Sequence, residues 1–201
     1  MSNFVYPDAT PPLVTINKPT PEGVNLSTSS VDFNVTLNEN GDSCLCSLNS
    51  GVANITMQKN GQRDFNATNS SIADGQYTVN YYCNDTAGNF NRTASRGFGI
   101  DTIKPLISYG VGTADDGANL TQSNIYVNVS WTETNFANIT FLLVNDTATV
   151  NSTTFTTATY TINWTNLAYT NYTYNVSIRD SANNFNSTAT RIVNLSNVSN
   201  T

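Results

Sequence analysis

Two half-length copies of one pattern run through the 201 residues. Asp8-Ala9-Thr10-Pro11-Pro12-Leu13-Val14 returns as Asp101-Thr102-Ile103-Lys104-Pro105-Leu106-Ile107. Val31-Asp32-Phe33-Asn34-Val35-Thr36-Leu37-Asn38-Glu39 returns as Ile125-Tyr126-Val127-Asn128-Val129-Ser130-Trp131-Thr132-Glu133. Tyr77-Thr78-Val79-Asn80-Tyr81, followed by Asp85-Thr86-Ala87-Gly88-Asn89-Phe90-Asn91, returns as Tyr172-Thr173-Tyr174-Asn175-Val176, followed by Asp180-Ser181-Ala182-Asn183-Asn184-Phe185-Asn186. The offset between copies drifts only from 93 to 95. Whatever fold this chain adopts is therefore built twice, in units of roughly 95 residues that are each large enough to fold alone. The expected division is residues 8–100 and 101–201, with almost no linker at Ile100-Asp101. Residues 1–7 read as the tail of a preceding repeat, because Phe4-Val5-Tyr6-Pro7-Asp8 resembles the final-strand exit Phe98-Gly99-Ile100-Asp101; an N-terminal strand that pairs with a neighbouring copy is the other expectation.

Inside each copy the hydrophobic period is two. Val31, Phe33, Val35 and Leu37 alternate with Asp32, Asn34 and Thr36, and Ile125, Val127, Val129 and Trp131 do the same. Val79, Tyr81 and Cys83 correspond to Tyr174, Val176 and Ile178. Such alternation marks antiparallel strands with one face buried and one wet. Asn60-Gly61, Asp74-Gly75 and Gly88-Asn89 supply turns between them. No segment carries a helical stripe. About seven short strands per unit predict an all-β chain of two tandem immunoglobulin-like Greek-key β-sandwiches. Ile72-Ala73-Asp74-Gly75-Gln76-Tyr77 and Leu167-Ala168-Tyr169-Thr170-Asn171-Tyr172 each place a Tyr at the start of the sixth strand. That position suits a tyrosine corner, whose hydroxyl bonds upstream backbone, or a Tyr filling the core edge.

Composition narrows the function classes. Only 11% of the residues are charged, and Asn, Thr and Ser (32, 30 and 19) stand in their place. The absence of His excludes a His-based triad, an imidazole base and imidazole metal ligands. Eight scattered Lys and Arg against 14 acids make no nucleic-acid footprint. No apolar run approaches the ~20 residues of a membrane span, and the first residues lack the charged start and apolar core of a signal peptide. Catalysis is not expected, for no nucleophile–base pair stands out. Trp131 and Trp164 fall at inward positions and read as core, while Tyr82, Tyr126 and Tyr169 read as surface. Cys44 and Cys46 share one strand face, and Cys83 also points inward. A Cys44–Cys83 bridge across the core, a Cys46–Cys83 bridge, and three buried thiols are the alternatives.

Asp101-Thr102-Ile103-Lys104-Pro105, Ile72-Ala73-Asp74-Gly75-Gln76-Tyr77 and Asp85-Thr86-Ala87-Gly88-Asn89 together resemble the tandem Ig-like repeats of archaeal and bacterial cell-surface proteins, over nearly the whole chain. In the second copy Asn183 replaces the Gly, and Tyr169-Thr170 replaces Asp-Gly. The resemblance implies an extracellular structural module of a surface layer, stalk or filament, with neighbouring copies as partners and no membrane insertion; an adhesin that binds a glycan or protein is the alternative. Intramolecular Lys–Asn isopeptide bonds, known in some such domains, are not expected here, since Lys18 has no counterpart in the second copy.

Asn-x-Ser/Thr without an intervening Pro occurs 18 times: at Asn25, Asn34, Asn54, Asn66, Asn69, Asn84, Asn91, Asn119, Asn128, Asn138, Asn145, Asn151, Asn163, Asn171, Asn175, Asn186, Asn194 and Asn197. Chance placement at this composition gives about eight, so the sequons are enriched about twofold. On a strand, the Asn and the Ser or Thr of a sequon share one face. Where the middle residue is apolar, as in Asn34-Val35-Thr36 and Asn175-Val176-Ser177, that face is the wet one. The expectation is a coat of N-linked glycans, as in the archaeal surface glycoproteins this density resembles.

In an Ig-type sandwich the N-terminal approach, the end of the second strand and the exit of the sixth meet at one end. The first copy places Asp8, Glu39 and Asp85 there, and the second places Asp101, Glu133 and Asp180. Carboxylates gathered in this way suit calcium, with Asn89 and Asn184 as further oxygen donors. Related surface repeats hold calcium at such positions, so calcium is the one cofactor expected. Loop acids that cap turns are the alternative.

Overall fold

The computed structural model describes residues 7–197, and the described chain divides into two compact units after Thr102. Residues 1–6, most of the segment expected to be a preceding tail or pairing strand, lie outside the described residues. The division falls two residues beyond the expected one because the chain there bonds backwards. The Asp101 amide donates to the Leu26 carbonyl, and the Thr102 amide and hydroxyl donate to the Asp74 carboxylate.

Among the described residues the first unit has nine strands: β1 (Val14–Lys18), β2 (Val24–Leu26), β3 (Val31–Leu37), β4 (Gly41–Ser47), β5 (Ile55–Thr56), β6 (Gln58–Asn60), β7 (Asp64–Asn69), β8 (Gly75–Asp85) and β9 (Phe90–Ile100). They form two sheets, ordered β1-β3-β7-β6 and β2-β9-β8-β4-β5. The second unit repeats the arrangement with β10 (Leu106–Tyr109), β11 (Ala118–Leu120), β12 (Ile125–Thr132), β13 (Phe136–Asn145), β14 (Thr149–Phe155), β15 (Thr161–Trp164), β16 (Asn171–Asp180), β17 (Phe185–Ser187) and β18 (Arg191–Leu195). Its sheets run β10-β12-β15 and β11-β18-β16-β13-β14, with β17 on β16. Both units are immunoglobulin-like β-sandwiches. Seven strands were expected in each. The first strand divides in both copies, its second half crossing to pair in parallel with the last strand (Val24↔Phe98, Ala118↔Val193), and short edge strands add the rest.

Alternation decides which residues make the cores. Val31, Phe33, Val35 and Leu37 of β3 are at most 2% exposed, and they pack with Phe65, Val79, Tyr81 and Phe98. In the second unit Ile125, Val127 and Val129 of β12 face Ile139, Phe141, Leu143, Val176 and Ile178. The Tyr77 hydroxyl donates to the Ala73 carbonyl at 2.9 Å, and the Tyr172 hydroxyl to the Ala168 carbonyl at 3.1 Å. Both copies thus close a tyrosine corner over the same four-residue span, because the ring is anchored in the core while its hydroxyl reaches the incoming chain.

The turn after the sixth core strand needs a left-handed residue. Gly88 supplies it at φ 90°, and Asn183 adopts φ 75° at the same place. Asn tolerates this region through local hydrogen bonding, and here the Asn183 side-chain oxygen accepts from Arg179. The Gly-to-Asn change between copies therefore leaves the turn intact.

The two Trp residues differ. Trp164 is buried, and its indole N–H donates to the Asn151 side-chain oxygen. Trp131, expected in the core, is only half-buried at the end of the sandwich. It is stacked between Phe136 and Tyr160 (centroids 4.9 and 5.1 Å), and its N–H donates to the Thr159 carbonyl. At a strand end the facing sheet no longer covers the inward side, and neighbouring rings cover it instead.

Candidate functional site

All 18 sequon asparagines lie among the described residues, and none is buried. Asn54, Asn119, Asn163, Asn171 and Asn197 are exposed and the remaining 13 are half-buried. The middle residues Val35, Val129, Ile139 and Val176 are at most 2% exposed, so the flanking Asn and Ser or Thr lie on the outer faces. The side-chain amides are not equivalent, however. A glycan is carried on the amide nitrogen, and in Asn91 and Asn186 that nitrogen donates at 2.8 Å to the carbonyls of Pro12 and Pro105. These are matched positions of the two copies, and each amide pins the first strand's approach to the last hairpin. Asn128 likewise donates to the Val111 carbonyl, and Asn194 to the side chain of Asn171. Sequon spacing does not separate such internally used amides from free ones, because the acceptor lies about 80 residues away along the chain.

Cys44 and Cys83 form a disulfide, with their Cα atoms 4.2 Å apart. The bond does not cross the core between the sheets, as expected, but joins neighbouring strands of one sheet. β4 and β8 pair with Cys44 opposite Cys83 and Cys46 opposite Tyr81. Register therefore selects Cys44, and Cys46 stays a buried free thiol whose ionisation burial pushes up to about 11. In the second unit Ile139 and Ile178 occupy the same facing pair.

The acids at one end of the first unit do converge. Asp8, Glu39 at the end of β3 and Asp85 at the end of β8 bring carboxylate oxygens within 4.8 Å of one another. Asp85 is buried, and its carboxylate accepts from the Ala87 and Asn89 amides and from the Asn89 side chain. Burial raises its pKa, but these bonds and that of the Gly88 amide outweigh burial and hold it below the usual carboxylate range. Glu39 is shifted the other way, upward, by burial, by a hydrogen bond shared with Asp8, and by repulsion from Asp8 and Asp85. Three carboxylates held this close suit a hard cation that relieves their repulsion. Asn89 does not add an oxygen, as the sequence suggested. Its side-chain nitrogen donates to Asp85 and to the Asp8 carbonyl, because an ionised Asp85 can only accept. Asn184 donates to Asp180 in the same way. Of the second set, Asp101 belongs to the first unit and Glu133 and Asp180 to the second; Asp180 is buried, and Glu133 caps the Asn135 amide.

Two exposed features were not legible in the sequence. The guanidinium of Arg92 lies over the Phe90 ring at 5.1 Å, and that of Arg179 over the matched Phe185 at 4.8 Å. The 47–54 turn is folded around a fully buried Ser47, whose hydroxyl donates to the Ala53 carbonyl and accepts from the Gly51 amide.

No family model matches the chain. Over 101 residues, half of this chain, it is 34% identical to halomucin of Haloquadratum walsbyi, and it spans 1% of that protein's length. Its structure is similar to the fibronectin(III)-like modules of CbhA from Clostridium thermocellum, with 15% identity and a TM-score of 0.59 over 91% of this chain and 93% of that one. It is also similar to a marsupial T cell receptor, with 8% identity and a TM-score of 0.60 over 92% and 72%. These likenesses show an Ig-like fold.

Proposed function

We propose that this chain is an extracellular structural module of a heavily N-glycosylated cell-surface protein, giving extension, rigidity and shielding rather than turnover. One observation carries the reading: 18 sequons are enriched over chance, and none of their asparagines is buried. An exterior written in Asn, Thr and Ser has little charge with which to stay soluble, and glycans would supply that hydration. The partial match to halomucin supports a surface setting. Neighbouring repeats of the same kind are the partners in this reading, and calcium held by Asp8, Glu39 and Asp85 would stiffen the head of the first unit. The test is glycopeptide mapping of native material. Sequon peptides at glycan-added masses are expected, and bare masses throughout overturn the reading. A second reading, a binding module, is favoured by an aromatic and cationic patch on the outer face of the first unit.

A further inference from the structure

We infer that the outer face of sheet β2-β9-β8-β4-β5 carries a binding groove for an acidic saccharide residue, present in the first unit and absent from the second. The groove is open to solvent, has a volume of about 290 Å³, and is lined by Leu45, Ser50, Gly51, Asn54, Tyr82, Phe90 and Arg92. This lies at the small end of ligand sites, ~300 Å³, and fits one or two sugar rings.

Its residues stand out against the rest of the exterior. The duplication provides an internal control: the second copy keeps a ring and a cation at the matched place, Phe185 under Arg179, but has Thr140, Ser177 and Ser187 where the first has Leu45, Tyr82 and Arg92, so the apolar and aromatic wall is particular to the first unit. Three positions that elsewhere follow the Thr and Ser habit of this surface are apolar, aromatic and cationic on one patch, supplied by three strands. Scattered exposed apolar residues need no explanation, but convergence in a concave site does. Phe90 is 53% exposed although it could have been Asn or Thr like its neighbours.

The wall is preorganised. Ser50 and Gly51 both have left-handed backbones, φ 56° and 90°, and the turn is held by Ser47 and by the Asn49 side chain, which accepts from the Ala53 amide. Gly51 packs against the Tyr82 ring, where a Cβ would sit 3.2 Å from the hydroxyl oxygen, and its φ of 90° is one that glycine adopts without strain. A rigid wall lowers the ordering cost of binding.

The chemistry selects the ligand. The Tyr82 ring offers a stacking surface to the C–H face of a pyranose, beside the Phe90 ring that the Arg92 guanidinium overlies, while the Asn54 side chain and the Ser50 hydroxyl offer hydrogen bonds to its hydroxyls. Among the described residues no carboxylate forms a salt bridge with Arg92, whose planar fork matches a carboxylate or sulfate in two parallel bonds. The chain carries net charge −6, which disfavours a polyanion; one guanidinium per groove fits one acid group on an otherwise neutral saccharide. Asn54 is itself a sequon, so the saccharide comes either from its own glycan or from another molecule.

The test uses the full chain made in a host without N-glycosylation, titrated with methyl glucuronide and methyl glucoside while backbone amide NMR shifts are followed. Saturable shifts clustered at residues 45–54, 82 and 90–92, with tighter binding of the glucuronide, are expected. Arg92→Ser should weaken the glucuronide about tenfold, the loss of one charge-assisted contact, and so remove its preference over the glucoside. Tyr82→Ser should abolish both. Both variants install the second copy's residue, so folding is retained, and circular dichroism checks it. Absence of clustered shifts for either sugar, equal affinity for both, or indifference to both variants overturns the proposal. With the site established, a glycosylated chain that no longer takes up the glucuronide identifies the Asn54 glycan as the occupant, and one that still does identifies a saccharide from another molecule. The outcome does not depend on the glycan coat, so it stands or falls separately from the structural reading.

Discussion

Reduction of the Cys44–Cys83 disulfide should destabilise the first unit and leave the second untouched. The bond closes a loop of 39 residues. The chain-entropy relation gives about 4 kcal/mol at 25 °C for such a loop. For a domain of about 100 residues, 1 kcal/mol moves the midpoint by about 4–8 °C, so a fall of about 15–30 °C is expected. The molecule carries its own control: Ile139 and Ile178 occupy the matched pair in the second unit, and both tryptophans, Trp131 and Trp164, belong to that unit. Tryptophan fluorescence therefore follows the second unit alone, while far-ultraviolet circular dichroism follows both. Thermal melts with and without a phosphine reductant should show one component of the dichroism moving down and the fluorescence transition staying in place. Cys46 should not rescue the bond by exchange, because burial leaves its thiol protonated, with a pKa of about 11. A double variant, Cys44→Val with Cys83→Ile, imitates the second unit's apolar pair and should lose less than Cys44→Ala with Cys83→Ala, which adds a cavity. A first-unit midpoint unchanged after complete reduction, verified by thiol counting in denaturant, would refute the reasoning.

Three other outcomes follow from the geometry. Glu39 has a raised pKa in the folded state, so its stabilising contribution is present in acid and is lost as pH rises through that value; Asp85, lowered, contributes at higher pH and loses its contribution as pH falls. In chelator the first unit should therefore lose stability as pH rises above the ordinary carboxylate range, and Glu39→Gln or added calcium should flatten that fall; equal melting in calcium and chelator would remove the ion. Asn91 and Asn186 should be the least occupied sequons in glycopeptide maps, and Asn91→Ala should cost about 1 kcal/mol in denaturant titration of the unglycosylated chain, since the Pro12 carbonyl loses its donor. Tyr77→Phe and Tyr172→Phe should each cost about 0.5–1.5 kcal/mol by the same measurement, with the larger loss at Tyr172, whose side chain is 2% exposed.

The two proposals concern different faces of one exterior. Shielding by glycans asks only that sequon asparagines stay out of the cores. Recognition of a saccharide asks for a concave, rigid departure from that polar surface, and the first unit makes such a departure at Tyr82, Phe90 and Arg92. A surface module can do both, since the groove occupies a small part of one sheet.

Alternation along a strand is a local property, and much followed from it. A residue's side of the sheet depends on backbone pleat alone. The sequence by itself therefore identified Val31, Phe33, Val35 and Leu37 as core, placed Asn34 and Thr36 outside, and through its duplication predicted two Ig-like units. The gathering of Asp8, Glu39 and Asp85 was also legible, because it depends only on which strand ends meet in a Greek key. Other features waited on tertiary structure, because each depends on register or on contacts between distant segments. Cys44 rather than Cys46 meets Cys83 because β4 and β8 pair in one register and not two residues away. Asn91 spends its amide on a carbonyl 79 residues earlier, and Asn89 presents nitrogen rather than oxygen because its neighbour Asp85 is an ionised acceptor. Leu45, Tyr82, Phe90 and Arg92 lie on three strands and look like isolated surface residues until the sheet sets them side by side. Side-chain direction is decided within two residues, whereas side-chain company is decided by the pairing of strands far apart in the chain.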